Sequence, residues 1–289
     1  MAERFAFGEN WRRFLSSITG ERIAEAERSL EAMLGAGALR GHSFLDIGCG
    51  SGLFSLAALR RGASRAHAFD FDPQSVACTR ELKRLHLPGD DRWTIETGDV
   101  LDRNYVERLG RWDIVYAWGV LHHTGDLWTA MDRAASAVAE GGRFFVAVYN
   151  DQGLRSRIWR RIKRLYNRMP RPVQGAMAAA GFVVFGGGLI AKALVTARNP
   201  FARFSGRGRR GMSVYRNVVD WLGGYPFEVA RPDTVLGFGR DRGLKLLEMK
   251  TCGGSLGCNE FVFVKPQGPG VTPPRRGAAG IPASGGWRG

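Results

Sequence analysis

Residues 45–54 read LDIGCGSGLF, three glycines set one residue apart between two apolar runs. The run before them, SFLDI, has the length and composition of a short buried strand. The run after them, SGLFSLAALRRG, reads as a helix ended by Gly62. A strand, a glycine turn and a helix make the first half of a βαβ unit, and the pattern repeats outward from there. RAHAFDFD is a second strand, and PQSVACTRELKRL a helix with Pro73 in its first turn. RWTIETGD is a third strand. WDIVYAWGV is a fourth, apolar along nearly its whole length and so buried on both faces. DLWTAMDRAASAVAEGG reads as a helix closed by its glycines, and RFFVAVYN as a fifth strand. Strands alternating with helices predict an α/β fold, a Rossmann-like doubly wound parallel sheet.

The alternation fills residues 41–150. Ahead of it, residues 1–40 read as helical, with Ile23, Ala26, Leu30 and Leu34 at helical spacing. Phe5, Phe7 and Trp11 cluster around Gly8 there, a composition that suits either a lid or plain helix packing. Residues 151–231 interrupt the pattern as an insertion, basic and in part apolar. Residues 232–265 resume it, with a helix opened by Pro232 and closed by Gly243 and the strands LKLLEMK and EFVFVK. Residues 266–289 are rich in Pro and Gly with little to bury, and read as a disordered tail.

The chain of 289 residues carries a net charge of +15, and the distribution of that charge is uneven. No Asp or Glu lies between Asp151 and Asp220, a stretch that holds fifteen Lys and Arg. Those fifteen equal the whole excess, so the rest of the chain is neutral. Within the stretch, Leu154, Ile158, Ile162, Leu165 and Met169 recur at helical spacing, with Trp159 and Tyr166 beside them and arginines opposite. That is the pattern of a basic amphipathic helix at a membrane surface. The twenty uncharged residues 172–191 reach the length of a membrane span, but their glycines and alanines dilute it, and a cap is the better reading. The N-terminal stretch lacks the apolar core of a signal peptide. Four cysteines show no metal spacing and read as free thiols of a reducing, cytoplasmic environment.

The glycine turn, at the carboxyl end of strand one, belongs where open α/β sheets bind ligands. Its G-x-G-x-G lacks the third spacing of the dinucleotide fingerprint, and no Lys-Ser/Thr follows to grip a phosphate. Acids stand at three successive strand ends instead. Asp46 precedes Gly48, Gly50 and Gly52, and suits an ammonium better than a pyrophosphate. Asp70 ends strand two, where a carboxylate can take two ribose hydroxyls. Asp99 follows strand three and can accept from an adenine amino group. Asp72 reads as a cap for the helix at Pro73. Ribose, adenine and positive charge without phosphate describe S-adenosylmethionine.

FLDIGCGSG, AFDFDP, TGDV and WDIVYAWGVLHH resemble the successive motifs of the class I S-adenosylmethionine-dependent methyltransferases, and within them the broad group that includes the ubiquinone-biosynthesis methyltransferases. The resemblance implies seven strands with the last, here Glu260–Lys265, antiparallel. Phe71, Val100 and Trp118, beside the acids and at the end of strand four, complete the expected cofactor set.

Methyl transfer needs alignment and exclusion of water, and a base only where the acceptor must lose a proton. Residues for that work stand at the ends of strands four and five: His122, His123, Tyr149 and Asp151 as catalytic candidates, with Asn150 on the substrate side. Tyr215, Asp220 and Trp221, gathered around glycines in the insertion, are candidates for the acceptor surface. The expectation is a methyltransferase for a lipophilic or anionic small molecule, O-methylation preferred, working in the cytoplasm at or near an anionic membrane face. Two rivals remain open. An RNA methyltransferase also fits clustered arginines, though no nucleic-acid module is visible. A cofactor-binding regulator without catalysis fits the motifs as well.

Overall fold

The computed structural model describes residues 18–195 and 214–267, with the backbone alone for residues 184–195, 214–217 and 220. Helix α1 (Gly20–Leu34) leads into β1 (Ser43–Ile47), α2 (Leu53–Arg60), β2 (Arg65–Asp70), α3 (Pro73–His86), β3 (Trp93–Thr97), α4 (Arg103–Leu109) and β4 (Trp112–Trp118). After a single 3-10 turn at Leu121–His123 come α5 (Leu127–Ser136) and β5 (Val138–Tyr149). Helices α6 (Leu154–Arg168), α7 (Arg171–Val195) and α8 (Val214–Gly223) precede α9 (Pro232–Asp241), β6 (Lys245–Lys250) and β7 (Cys258–Val264).

The strands form one seven-stranded sheet in the order β3-β2-β1-β4-β5-β7-β6. β7 runs antiparallel to both of its neighbours, and the other pairings are parallel. The order reverses between β1 and β4, so the ends of these two strands open a crevice. All five residues of β1 are buried, which is why its sequence does not alternate. One core layer packs α1, α2 and α3 on the sheet through Leu30, Leu56, Leu82 and Phe145. The other packs α5 and α9 through Met131, Val235, Phe144 and Phe263. Helix starts follow from capping acids: Asp72, Asp102 and Asp126 accept from Gln74, Tyr105 and Thr129 main-chain N–H groups at 2.9, 3.2 and 3.2 Å. Such a cap contributes about 1 kcal/mol.

Two sequence expectations are corrected here. The helix expected to run to Gly142 ends at Ser136, and residues 138–142 belong to β5. The register between β4 and β5 shifts there, and a Cβ on Gly142 would stand 2.9 Å from the carbonyl oxygens of Asp113 and Ala139. The glycines mark a bulge, not a helix end. The stripe expected on one face of α6 is divided. Ile162, Trp159 and Tyr166 turn inward, while Leu154, Ile158 and Leu165 are exposed among arginines.

Helices α6, α7 and α8 pack on one another around Tyr166, Ala178, Val218 and Leu222. The uncharged stretch lies in α7, and among the described residues no helix is long and apolar enough to cross a membrane. Residues 1–17, with Phe5, Phe7 and Trp11, and the tail from residue 268 lie outside the described residues.

Candidate functional site

The turn between β1 and α2 is built on glycines in the left-handed region, with φ of +69° at Gly48, +55° at Gly50 and +78° at Gly52. Phe69 O accepts from the N–H groups of Gly48 and Cys49, which ties the turn to β2. Side chains crowd Gly48 and Gly52. A Cβ on Gly48 would stand 2.4 Å from Val120 Cγ1, and one on Gly52 would stand 2.6 Å from Thr79 Cγ2. Thr79, buried on α3, cannot yield easily: its hydroxyl donates to Gly50 O at 3.2 Å and lies 3.3 Å from Cys49 Sγ.

Gly52→Ala should lower stability by roughly 1–3 kcal/mol through backbone strain alone, and by more through the Thr79 methyl. Adding Thr79→Ser removes that methyl and should recover the second part. Thermal unfolding measures both, and an alanine variant as stable as the parent refutes the account.

The acids surround this turn. Asp46 is buried on β1, and Ser55 Oγ donates to its Oδ2 at 2.5 Å. Burial, reinforced by the nearby Asp70 charge, pushes its carboxyl up to about 7, against the pull of the Ser55 bonds. Asp70 accepts from Gly50 N–H at 3.0 Å and Asp72 N–H at 2.9 Å, and burial raises it to about 6. Asp99 accepts from Leu101 N–H at 2.9 Å, which orients it, and Val100 beside it is buried. Gly98 leaves room for the Tyr105 ring, whose nearest carbon would be 2.2 Å from a Cβ there. Phe71 projects from the end of β2 and is exposed; Trp118, at the end of β4, is half-buried against the α1–α3 layer.

These groups suit the cofactor on the chemistry of the donor set. Asp46 and Asp70 have no ion pair among the described residues, and a buried carboxylate raised to about 7 is stabilised by an arriving ammonium. A carboxylate has about four acceptor sites, so Asp70 keeps room for a hydroxyl beside its main-chain N–H donors.

Three of the four catalytic candidates, His122, His123 and Tyr149, come together next to the turn, because Val120 lies against Gly48 and leads directly into the His pair; Asp151 does not join them. His122 is fully buried, with its ring centroid 4.1 Å from Tyr149 and 4.5 Å from His123. Tyr149 also meets Phe227 at 5.2 Å and Trp221 at 5.6 Å. His123 Nδ1 lies 2.7 Å from Pro226 O. A carbonyl only accepts, so Nδ1 carries the proton. Burial pushes His123 down to about 3 against the pull of that bond, and the Lys163 charge adds to it, so the ring is neutral near pH 7.

Asn150 and Asp151 have local partners. Asn259 Nδ2 donates to Asn150 Oδ1 at 3.0 Å, and Asp151 accepts from Gly153 N–H at 2.9 Å where the chain turns into α6. Trp221 stands in the ring cluster; Tyr215 and Asp220 lie on α8, but their side chains are outside the described residues.

Four residues that sequence reasoning missed hold the site. Ser55 holds Asp46, and Thr79 holds the turn. Glu228 accepts from the N–H groups of Gly125 and Leu127 at 3.0 and 3.2 Å and fixes the loop after the His pair. Lys163 is fully buried, donates to Trp221 O, and stands 4.1 Å over the Trp221 ring and 4.8 Å over Phe227. None has a spacing that marks it. Lys163 in particular reads as one more charge on a basic face.

Residues 45–144 match a family model described as a methyltransferase domain. A ribosomal protein L11 methyltransferase of Xanthomonas campestris pv. campestris is 48% identical over 65 residues, 22% of this chain and 21% of that protein. The chain thus aligns with about a fifth of the length of that curated relative. An O-methyltransferase family protein from Burkholderia thailandensis superposes with a TM-score of 0.54 at 17% identity, over 91% of this chain and 59% of that one. The magnesium protoporphyrin IX methyltransferase of Synechocystis PCC 6803, solved with bound S-adenosylhomocysteine, superposes at 0.51 and 14% identity, over 89% of this chain and 94% of that one. Residues 45–144 thus match a methyltransferase domain, the sheet has the fold of the S-adenosylmethionine-dependent methyltransferases it superposes on, and the glycine turn and three acids suit S-adenosylmethionine as cofactor.

Proposed function

We propose that the chain transfers a methyl group from S-adenosylmethionine to a small lipophilic or anionic acceptor held against the rings of Tyr149, Trp221 and Phe227. The observation that carries this reading is the ring cluster itself. It lies beside the turn that follows Val120, is backed by cap helix α6, and has the Lys163 ammonium over two of its rings. Aromatic walls exclude water and favour a flat apolar acceptor. A buried ammonium favours negative charge on it, which supports oxygen over nitrogen as the methylated atom.

The cofactor, when bound, supplies an electrophilic methyl group on a sulfonium. Asp46 would hold its ammonium, Asp70 its ribose and Asp99 its adenine, with Phe71 beside the ring. The chain's own contribution is positioning and desolvation. His123, neutral and with a conjugate acid near 3, is a poor sink for a phenolic proton. It acts by holding Pro226, and the acceptor's own acidity, raised by Lys163, provides the anion.

Methyl transfer from labelled cofactor to a panel of phenols and aromatic carboxylates tests the reading. Trp221→Ala should raise the acceptor KM about tenfold or more through lost contact, while S-adenosylhomocysteine affinity holds. The pH–rate profile should show no break from His123 between pH 5 and 8. Label appearing in RNA or in a ribosomal protein, and in no small acceptor, overturns the proposal; a 10²–10⁴-fold loss in His123→Ala with a matching pH break restores the histidine as base.

A further inference from the structure

Helix α6 has an inner face that fixes its outer one. Ser156, Lys163 and Tyr166 are buried, and Trp159 and Ile162 pack with Val218 and Leu222. The helix therefore cannot roll to hide what points outward. Leu154, Ile158 and Leu165 are 64%, 47% and 50% exposed. At about 100° per residue they share an arc of about 40°, in a row about 16 Å long. Arg157, Arg161, Arg164 and Arg168, all exposed, fill roughly the next 60° of the helix surface. Among the described residues no ion pair engages these four, and the nearest acids in sequence are Asp151 and Asp220.

We infer that this outer edge of α6 docks on an anionic lipid surface, with the apolar row entering the headgroup boundary and Arg157, Arg161 and Arg168 meeting lipid phosphates. Charge excludes a second copy of the chain as the occupant, because two such faces set four arginines against four. Nucleic acid fits less well, because the aromatic residues of the helix, Trp159 and Tyr166, turn inward and leave no outward ring for a base to stack on. A protein helix is disfavoured because the edge is convex and offers no groove. A fluid headgroup layer accepts a convex row of side chains and needs no groove. With its inner face packed on the cap, α6 can meet such a surface only along its outer edge, so the contact is peripheral. The inference goes beyond the methyl-transfer reading and does not depend on the acceptor.

The test is flotation of the full chain with vesicles of phosphatidylcholine alone and of phosphatidylcholine mixed with phosphatidylglycerol. The chain should float with the mixed vesicles, not the neutral ones, and release as salt rises. Arg157→Gln, Arg161→Gln and Arg168→Gln together should weaken that binding about 100-fold. Leu154→Ser, Ile158→Ser and Leu165→Ser together should weaken it about tenfold or more. Arg160 and Arg164 are left in place because they hold Phe227 O and the Tyr225 hydroxyl. Unchanged S-adenosylhomocysteine affinity and melting temperature show that both variants fold. Equal binding to the two vesicles, binding to neither, or no loss in the arginine variant overturns the inference. So does tight transfer RNA binding that the arginine variant loses and the serine variant keeps.

Discussion

Asp70→Ala should weaken S-adenosylhomocysteine binding by about 100-fold. Asp70 Oδ2 accepts from Gly50 N–H and Oδ1 from Asp72 N–H, so the carboxylate is clamped at the end of β2, beside the glycine turn. Although burial raises it to about 6, it is ionised at pH 7.5. A hydrogen bond to a charged group contributes about 1.5–3 kcal/mol, a factor of roughly 10–150 in affinity. The alanine variant loses that bond and also releases Gly50, the centre of the glycine turn. Asp70→Asn should fail nearly as badly, since an amide presents an N–H to one of two main-chain donors that both need an acceptor. Asp72→Ala is the control: its side chain caps α3 through Gln74, so stability should fall by about 1 kcal/mol while affinity stays near that of the parent. Calorimetry decides, and parental affinity in Asp70→Ala places the ribose elsewhere.

The fold was legible because its signals are local. SFLDI followed by three alternating glycines reads as a strand turning sharply into a helix, and the acids at three strand ends are neighbours on one sheet edge once the strands are parallel. Where reading failed, a distant contact decided. The glycines 141 and 142 look like a helix end, yet main-chain oxygens of Trp112, Asp113 and Ala139 crowd Gly142 and require a bulge. The α6 stripe looks like one apolar face, yet Val218 and Leu222, some sixty residues on, draw Ile162, Trp159 and Tyr166 inward and leave Leu154, Ile158 and Leu165 outside. Lys163 is buried for the same reason, since Trp221 and Phe227 supply its rings and a carbonyl across the cap.

The segment 221–228 ties the cap to the site. Trp221 O and Phe227 O accept from Lys163 and Arg160 of α6, and the Tyr225 hydroxyl accepts from Arg164. From the same segment, Pro226 O meets His123 and Glu228 holds Gly125 and Leu127. One short stretch thus joins the cap to the loop that follows Val120, and Val120 lies against Gly48 of the cofactor turn.

Lowering the pH from 7.5 to 5.5 should weaken S-adenosylhomocysteine binding by about thirtyfold through Asp46, at about tenfold per unit below its value. The carboxyl, raised from 3.8 to about 7 chiefly by burial, holds a proton in the free protein below that pH. A ligand ammonium needs the carboxylate, so binding at low pH must first expel the proton. Affinity is therefore full above about 7 and falls as pH falls. Asp70, raised to about 6, acts in the same direction below 6. Stability of the free protein runs the opposite way. A raised carboxyl binds its proton more tightly folded than unfolded, so this group's contribution is fully present below 3.8 and is lost as pH rises toward 7. Asp46→Asn separates the two acids: the break near 7 should vanish from the affinity profile, while the break near 6 persists and affinity at pH 7.5 drops. Calorimetry in two buffers of different ionisation enthalpy gives a second reading, with about half a proton released per ligand bound at pH 7 and almost none in Asp46→Asn. Constant affinity of the parent from pH 7.5 to 5.5 means that the ammonium is held by another group, and that the buried Asp46 serves only to bind Ser55 at the start of α2.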